Sequence, residues 1–145
     1  MIREATLEDL PLMEDAAKEF YASSKFLVGF NIKKFCEFWE GLLTTKIGII
    51  YLLIEDRKVR GAIGGIAYPE IYCEGTTATE FFWFVEPYYR GVGLELYKRF
   101  ERWAKDNGCK QIRMVHLKDL MPEKVGAIYK RLGFTPIEVH YAKEL

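Results

Sequence analysis

Apolar residues recur along this chain with two different spacings, and the change of spacing predicts its elements. Before residue 45 they return every three or four positions, which predicts one helix after Thr6 and another from about Asn31. A short strand over residues 2–5 precedes them. Further on, near-continuous apolar runs predict strands over residues 47–55, 59–68, 78–87 and 110–117, with helices from about Leu94 to Asn107 and over residues 122–134, and a closing strand over residues 135–145.

The predicted order of elements is β-α-α-β-β-β-α-β-α-β. An antiparallel meander that leads into a β-α-β crossover gives a mixed sheet, so the fold class is α/β with helices on both faces. No repeat, linker or low-complexity segment interrupts the pattern. We therefore expect a single domain over residues 1–145.

The composition is that of a folded protein without a strong net electrostatic field, because its charges balance. Half of the residues are hydrophobic, and 10 Phe, 9 Tyr and 3 Trp can fill a core. Lys and Arg total 21, as do Asp and Glu, which argues against sequence-independent binding of nucleic acid. No apolar run reaches the roughly 18 to 20 residues of a membrane span, and the opening "MIREATLEDL" does not resemble a signal peptide. We expect a soluble, cytoplasmic protein without a membrane partner.

The cysteines do not point to a metal or to covalent catalysis. Cys36, Cys73 and Cys109 have neither CxxC nor Cys/His spacing, which is what a metal site needs. Cys36 falls on a helix stripe and Cys73 in a loop, and neither has an obvious base beside it. Reduced thiols in the cytosol are the expectation.

The joint "VEPYYRGVGLELYKRF", residues 85–100, is a candidate anion site. Arg90, Gly91 and Gly93 directly precede a predicted helix, where unpaired N–H groups and the helix dipole favour negative charge. Glycine lets the backbone approach a phosphate, and arginine can neutralise it. The same glycines also suit a plain tight turn, and these residues alone leave both interpretations open.

The arrangement strand–"V-x-P-x-Y-R-G-x-G"–helix, then a strand and "AIYKRLGF", resembles the GNAT N-acyltransferase superfamily. The resemblance covers the element order and is most specific over residues 80–134. It implies a sheet of six to seven strands, acetyl-coenzyme A as acyl donor, and a primary amine of an unidentified small molecule or protein as acceptor. In that family the joint holds the pyrophosphate, and a bulge parts the preceding strand from its neighbour to admit the pantetheine arm.

The loop departs from the family pattern, because Glu95 stands where Gly or Ala is usual. Either a carboxylate faces the pyrophosphate, or the loop is two residues shorter and Gly93 acts as the last glycine. The family places long apolar residues three, four and seven positions after that glycine. Counting from Gly93 gives Leu96, Tyr97 and Phe100, whereas counting from Glu95 gives Lys98, Arg99 and Arg102. The shorter loop is favoured, with Glu95 on the solvent face beside Arg99.

The resemblance implies roles for individual residues. Tyr129 corresponds to the tyrosine that protonates the leaving sulfur, and Glu80 to a glutamate that takes the amine's proton through water. A core tyrosine and a solvated strand end are the structural alternatives. The residues implied in cofactor binding are Trp83, Phe84, Val85, Arg90, Gly91, Val92, Gly93 and Leu94. Backbone groups of Trp83 and Val85 are expected to bind the pantetheine amides.

Other residues leave alternatives open. His116 is an alternative base, and His140 a weaker one. Pro122 stands where the family often has asparagine, and with the short loop it favours a second hypothesis, a catalytically degenerate binding or assembly module. An acyltransferase for a modified nucleobase is disfavoured by the neutral charge. Aromatic and apolar residues expected at the acceptor rim are Phe26, Leu27, Phe30, Tyr68 and Tyr72, which could equally pack the helices or form a homodimer contact.

Overall fold

The computed structural model describes residues 1–24 and 29–145, and its elements follow the predicted order up to residue 131. The strands are β1 (Ile2–Glu4), β2 (Gly48–Glu55), β3 (Lys58–Pro69), β4 (Thr76–Val85) and β5 (Cys109–Arg113). The α-helices are α1 (Glu14–Ser24), α2 (Ile32–Thr44), α3 (Gly93–Asp106) and α4 (Pro122–Arg131). Two 3₁₀ helices, Leu7–Met13 and Pro87–Val92, run directly into α1 and α3.

The sheet is mixed, as predicted, and its strand order is β1-β2-β3-β4-β5. β1 to β4 pair antiparallel, and β5 pairs parallel to β4. The predicted number of six to seven strands is wrong, because the described residues form five strands. Residues 135–145, predicted as a strand, are exposed and have no regular structure. Alternating apolar residues favour a strand, but a strand also needs a neighbour for its backbone groups.

Each face of the sheet has its own core. Trp39 of α2 packs with Leu52 and Phe82 on one face, together with partly buried residues of α1. Leu96 and Phe100 of α3 pack with Ile63 on the other. Leu96, Tyr97 and Phe100 are all buried. This confirms the helical phase counted from Gly93, although Glu95 pairs with Lys98, at 2.6 Å, and not with Arg99 as predicted.

Two glycines of β3, Gly64 and Gly65, bring the backbone close to both cores. A Cβ atom on Gly64 would lie 2.4 Å from the Phe82 ring. A Cβ atom on Gly65 would lie 2.4 Å from the carbonyl oxygen of Thr79 and 2.7 Å from the Phe100 ring. Because Gly65 meets a backbone atom, a side chain there forces strands β3 and β4 apart.

Gly65→Ala is therefore expected to lower the free energy of unfolding by about 2 to 3 kcal/mol, the usual cost of overpacking a core. Gly41→Ala is the matched control, since Gly41 lies inside α2 with nothing within 4 Å of the added Cβ. It should raise the free energy by roughly 0.5 to 1 kcal/mol, because alanine favours helix over glycine. Urea unfolding followed by circular dichroism measures both. Equal effects of the two substitutions would contradict the close packing.

Candidate active site

Strands β4 and β5 part where the candidate catalytic residues lie. They pair from Thr76 and Cys109 as far as Thr79 and Arg113, and β4 then continues to Val85 without β5. The sequence predicted that β5 extends to residue 117; instead it ends at Arg113. The reason is that the next backbone groups bond to side chains, since the Val115 N–H donates to the carboxyl group of Glu80.

A β-bulge at Phe81 coincides with this parting. Gly65 lies opposite Glu80 and Gly64 opposite Phe82, so Phe81 is the additional residue. The ring of Phe81 stacks on Phe38 of α2, with centroids 5.9 Å apart. The bulge thus turns two successive aromatic side chains toward α2 and leaves Glu80 on the α3 face, opposite Gly65.

Glu80 is a buried carboxyl group that accepts one hydrogen bond from the residues that the structure describes. It is 2% exposed, and its Oε2 accepts from the Val115 N–H at 3.0 Å. Burial raises the pKa of Glu80 to about 8, and the hydrogen bond from Val115 opposes that rise only in part. Glu80 therefore changes protonation state close to neutral pH, which suits a general base. The solvated strand end considered as an alternative is wrong for Glu80.

Tyr129 projects from α4 to the same backbone residue. Its hydroxyl group donates to the Val115 carbonyl oxygen at 2.5 Å. Its ring stacks on Trp83 of β4, with centroids 6.2 Å apart, and on His116 at 6.5 Å. Burial raises the pKa of Tyr129, and the nearby Glu80 raises it further. The phenol thus keeps its proton at physiological pH and is available as a donor.

Trp83 carries a free donor in the same region. Its indole ring lies between Tyr97 of α3 and Tyr129, with centroids 6.1 and 6.2 Å away. Among the described residues its Nε1–H is buried and has no hydrogen-bond partner. A buried unpaired donor is costly, so this atom favours a ligand with an acceptor atom beside it.

The joint before α3 is more regular than the sequence predicted. Residues Pro87–Val92 form a 3₁₀ helix, and the N–H of Gly93 donates to the Arg90 carbonyl oxygen. That N–H is therefore engaged inside the chain. No atom of the described residues lies within 4 Å of a Cβ added to Gly91, and Val92 and Leu94 are 37% and 43% exposed, so the surface of the joint is open. The Arg90 side chain makes a polar contact with Met121, in which Arg90 Nη1 lies 3.7 Å from the sulfur.

The remaining predicted residues are dispersed. His116 is exposed and lies beside Gly126 and the Tyr129 ring, so it borders the site. His140 lies among the exposed residues 135–145, and its Nε2 is 3.4 Å from Oε2 of Glu138. The cysteines are unpaired. Among residues 1–24 and 29–145, no group of His, Cys, Asp or Glu is placed to hold a metal ion.

The predicted acceptor rim is divided. Phe26 and Leu27 lie outside the described residues. Phe30 packs between Tyr21 and Phe35, whereas Tyr72 is 90% exposed. The rim is therefore not a continuous aromatic wall over its described part.

Tyr68 belongs to a polar cluster that the sequence did not reveal. Its hydroxyl group lies 3.2 Å from Thr79 Oγ1 and 3.3 Å from Arg113 Nη1. Arg113 also forms an ion pair with Glu70, which accepts a hydrogen bond from Thr77 at 3.0 Å. The cluster fixes the end of β5 at the point where the strands part.

Comparison with known proteins decides the family. The model of the acetyltransferase (GNAT) family matches residues 11–134. This chain belongs to the GNAT acetyltransferase family. No curated protein matches the GNAT chain.

Solved structures agree with that family assignment. A predicted acetyltransferase from Clostridium acetobutylicum, crystallised with acetyl-CoA, has a TM-score of 0.80 at 17% identity, with 99% of this chain and 95% of that chain covered. A probable acetyltransferase gives 0.77 at 18%, with 100% and 97% covered. Glucosamine-6-phosphate N-acetyltransferase from Arabidopsis thaliana gives 0.72 at 14%, with 99% and 97% covered. At these identities the likeness shows that the GNAT chain shares their fold.

No helix among the described residues of the GNAT chain combines the length and the hydrophobicity needed to cross a bilayer. The helices are of ordinary globular length, and α3, at 14 residues, has a polar face that carries Lys98 and Arg102. Its charged residues pair along that face, as Glu101 does with Lys105 at 3.0 Å. This solvated face agrees with the predicted phase of the helix.

Proposed function

We propose that the protein transfers an acetyl group from acetyl-coenzyme A to a primary amine by direct attack. The observation that carries the proposal is the meeting of Glu80 and Tyr129 at Val115, where β4 and β5 part. A group with a pKa near neutral and a protonated phenol thus stand at one point of the sheet. These are the two proton-transfer partners that aminolysis of a thioester requires.

Glu80 acts as the base in this proposal. A free alkylammonium has a pKa of about 10.4, so the amine must lose a proton before it attacks. Ionised Glu80 takes that proton through a water molecule. A new C–N bond then forms at the thioester carbon, and the resulting oxyanion is stabilised by backbone N–H groups. Because the pKa of Glu80 is about 8, the ionised fraction of the base, and with it the rate, rises with pH through that value.

Tyr129 acts as the acid. When the C–S bond breaks, the electron pair stays on sulfur as a thiolate with a pKa of about 8.5. The Tyr129 hydroxyl group turns from the Val115 carbonyl oxygen to the sulfur and donates its proton. The attacking nitrogen gives up its second proton as the amide forms, and this proton restores the Tyr129 phenol, so that the products are a neutral amide and the free thiol. Loss of its hydrogen bond to Val115 is offset by the bond to the developing thiolate, since bonds to charged groups are the stronger ones.

The acetyl-coenzyme A site in this proposal follows β4 and the joint. Backbone groups of Trp83, Phe84 and Val85 have no neighbouring strand from the described residues on the β5 side, and they take the pantetheine amides. The unpaired Trp83 Nε1–H supplies a further donor. The exposed residues of the joint, Arg90 to Leu94, take the pyrophosphate, with Arg90 as the positive charge. One donor fewer is available because the Gly93 N–H is engaged.

The first test is a thermal shift with acetyl-coenzyme A. A ligand at about 100 times its Kd stabilises the folded state by about 2.7 kcal/mol, which raises Tm by roughly 8 °C at this chain length. Arg90→Ala should raise the Kd about tenfold, because the loss of one charge-assisted contact costs about 1.4 kcal/mol of binding free energy. Arg99→Ala is the control, because Arg99 lies exposed on α3 beyond the joint. Equal loss in both variants would contradict a role of Arg90 in the joint.

A catalytically degenerate binding or assembly module is the second candidate. The observation that favours it is that Glu80, Tyr129 and the Gly93 N–H all bond within the chain. The same thermal-shift experiment separates the candidates. No rise in Tm at millimolar acetyl-coenzyme A favours the module over the enzyme.

A further inference from the structure

Two phenylalanine rings are exposed on the α2 face of the sheet, beside the point where β4 and β5 part. Phe38 of α2 is 51% exposed and Phe81 of β4 is 42% exposed, and their rings stack with centroids 5.9 Å apart. Large apolar side chains that are exposed together mark a binding surface more often than isolated ones do. We call this pair of rings the aromatic platform.

The core on this face is filled without the platform. Phe82 is 7% exposed and packs on the buried Trp39 of α2, with ring centroids 5.4 Å apart. Phe81 reaches the same tryptophan only from outside, at 6.1 Å. The bulge at Phe81 therefore adds an aromatic side chain that burial does not require. Since bulges commonly aim a side chain beside an active site, this ring is placed to contact a ligand.

The platform adjoins the proposed catalytic pair but lies on the other face of the sheet. Phe81 directly follows Glu80 in β4, and Glu80 lies on the α3 face, opposite Gly65. Tyr129 stacks on Trp83 on that same α3 face. A thioester beside Tyr129 and an amine that arrives over Phe81 therefore approach each other from opposite faces, between the parted strands. Direct attack needs this arrangement, because nucleophile and leaving group occupy different sides of the reacting carbon.

Carboxylates on both sides of the platform are already paired with cations. On the β5 side, Arg113 forms an ion pair with Glu70. On the α2 side, Glu37, the neighbour of Phe38, lies 3.5 Å from Lys34. A polycationic acceptor would need carboxylates that are free to pair with its additional ammonium groups. An acceptor with one amine and an apolar body does not need them, and it matches the platform better.

We propose that the aromatic platform binds the acceptor, and that the acceptor is a primary amine joined by a short alkyl chain to an aromatic ring. The ring stacks on Phe38 and Phe81, since aromatic rings at this spacing attract one another beyond the area they bury. The alkyl chain carries the amine between the parted strands toward Glu80. This inference rests on the proposed acetyl transfer and names its substrate class.

The transfer to this acceptor balances in the same way as the general reaction. The ammonium group gives its first proton to Glu80 through water, and the nitrogen then bonds to the acetyl carbon. As the C–S bond breaks, sulfur receives the proton of Tyr129, and the second proton of the nitrogen restores the phenol. The products are the N-acetylated aromatic amine and the free thiol of coenzyme A.

Steady-state kinetics with acetyl-coenzyme A and three amines test the substrate class. We expect kcat/KM for 2-phenylethylamine to exceed that for ethylamine about 30-fold or more, because only the first covers the platform. It should exceed that for 2-cyclohexylethylamine, which has the same length without a π-system, about threefold or more.

Two substitutions test the platform itself. Phe81→Ala and Phe38→Ala should each lower kcat/KM about tenfold or more for 2-phenylethylamine, mainly by raising KM, but less than about threefold for ethylamine. Phe38 lies on the exposed side of α2, where alanine favours the helix, so this variant keeps the fold and the bulge intact. The matched control is Tyr141→Ala, which removes a 95% exposed ring from residues 135–145 and should leave the preference between the amines unchanged.

Failure of the inference and failure of the proposed transfer give different results. If the three amines have equal kcat/KM, or if both platform variants keep the preference of the wild type, the substrate class is wrong while acetyl transfer stands. If none of the amines is acetylated, the proposed transfer to such amines is wrong, and saturation-transfer NMR with 2-phenylethylamine decides on the platform. A signal that Phe81→Ala abolishes supports the platform, whereas no signal, or an equal signal in the variant, overturns it.

Size-exclusion chromatography with light scattering covers the other possible occupant, a second copy of the chain. The platform variants and the wild type should have the same mass. A lower mass in Phe81→Ala, together with an unchanged preference between the amines, would assign the platform to a contact between copies and overturn the proposal.

Discussion

Replacement of Tyr129 by phenylalanine is expected to lower kcat about 100-fold, the lower end of what a positioned general acid contributes. Phenylalanine keeps the ring that stacks on Trp83 and His116 and loses the hydroxyl proton. The lost hydrogen bond to Val115 should cost about 1 kcal/mol of stability, so the variant stays folded. Release of the coenzyme A thiol, measured with acetyl-coenzyme A and a panel of primary amines, gives the rate.

Tyr97→Phe is the matched control for this experiment. Tyr97 is also buried, also packs on Trp83, and donates its hydroxyl proton to Glu101 at 2.9 Å. Its loss removes a phenol from the same face without touching Val115. Unchanged turnover in Tyr129→Phe, or equal losses in the two variants, would remove the acid role from Tyr129.

Glu80→Gln should have two separable effects, one on rate and one on stability. Glutamine cannot take a proton from the amine, so kcat/KM should fall about 100-fold or more and lose its rise through about pH 8. Glutamine still offers an oxygen to the Val115 N–H, which preserves the local structure. The pH profile of kcat/KM over pH 6 to 9.5 measures the first effect. A profile with the same rise in the variant would exclude Glu80 as the base.

The stability effect follows from the raised pKa of Glu80. Its carboxyl group ionises at about 8 when folded and at 4.5 when unfolded. Between these values the folded state holds a proton that the unfolded state has lost, so stability falls as the pH rises. At about 1.4 kcal/mol per pH unit, the wild type should lose about 3 to 4 kcal/mol between pH 5 and pH 8 through this group, because the slope flattens as Glu80 begins to ionise near pH 8.

Thermal denaturation across that pH range measures the loss. Glu80→Gln should abolish this part of the slope, whereas Glu74→Gln, an exposed control in the loop before β4, should keep it. If the wild type and Glu80→Gln have parallel profiles, Glu80 is ionised in the folded state at neutral pH. The predicted rise of the rate through about pH 8 and the predicted loss of stability between pH 5 and pH 8 would then both be wrong.

Spacing along the chain predicted the features that burial enforces. The phase of α3 is one of these features: Leu96 and Phe100 are fully buried, whereas the phase counted from Glu95 would have turned Lys98, Arg99 and Arg102 toward the sheet. The second helix is another, because the helix predicted from about Asn31 begins at Ile32 and buries Trp39. In both cases the constraint acts on the side chain itself, and a single sequence therefore carries it.

The sequence did not reveal what depends on the backbone or on missing neighbours. The 3₁₀ helix before α3 differs from a loop in its hydrogen bonds, which the spacing of apolar residues does not resolve. Residues 135–145 have a strand pattern but no strand partner within the described part of the chain. The positions of Glu80 and Tyr129 were expected from the family resemblance, and nothing in the spacing of these two residues indicated a shared contact.

Val115 joins Glu80 to Tyr129 through its amide and carbonyl groups, while the residue as a whole is 46% exposed. Every amino acid except proline offers the same two atoms. Substitution of the Val115 side chain therefore leaves both hydrogen bonds in place, and alanine scanning does not detect the role of this residue. Incorporation of an α-hydroxy acid at position 115 replaces the amide by an ester, and this replacement removes the N–H that donates to Glu80.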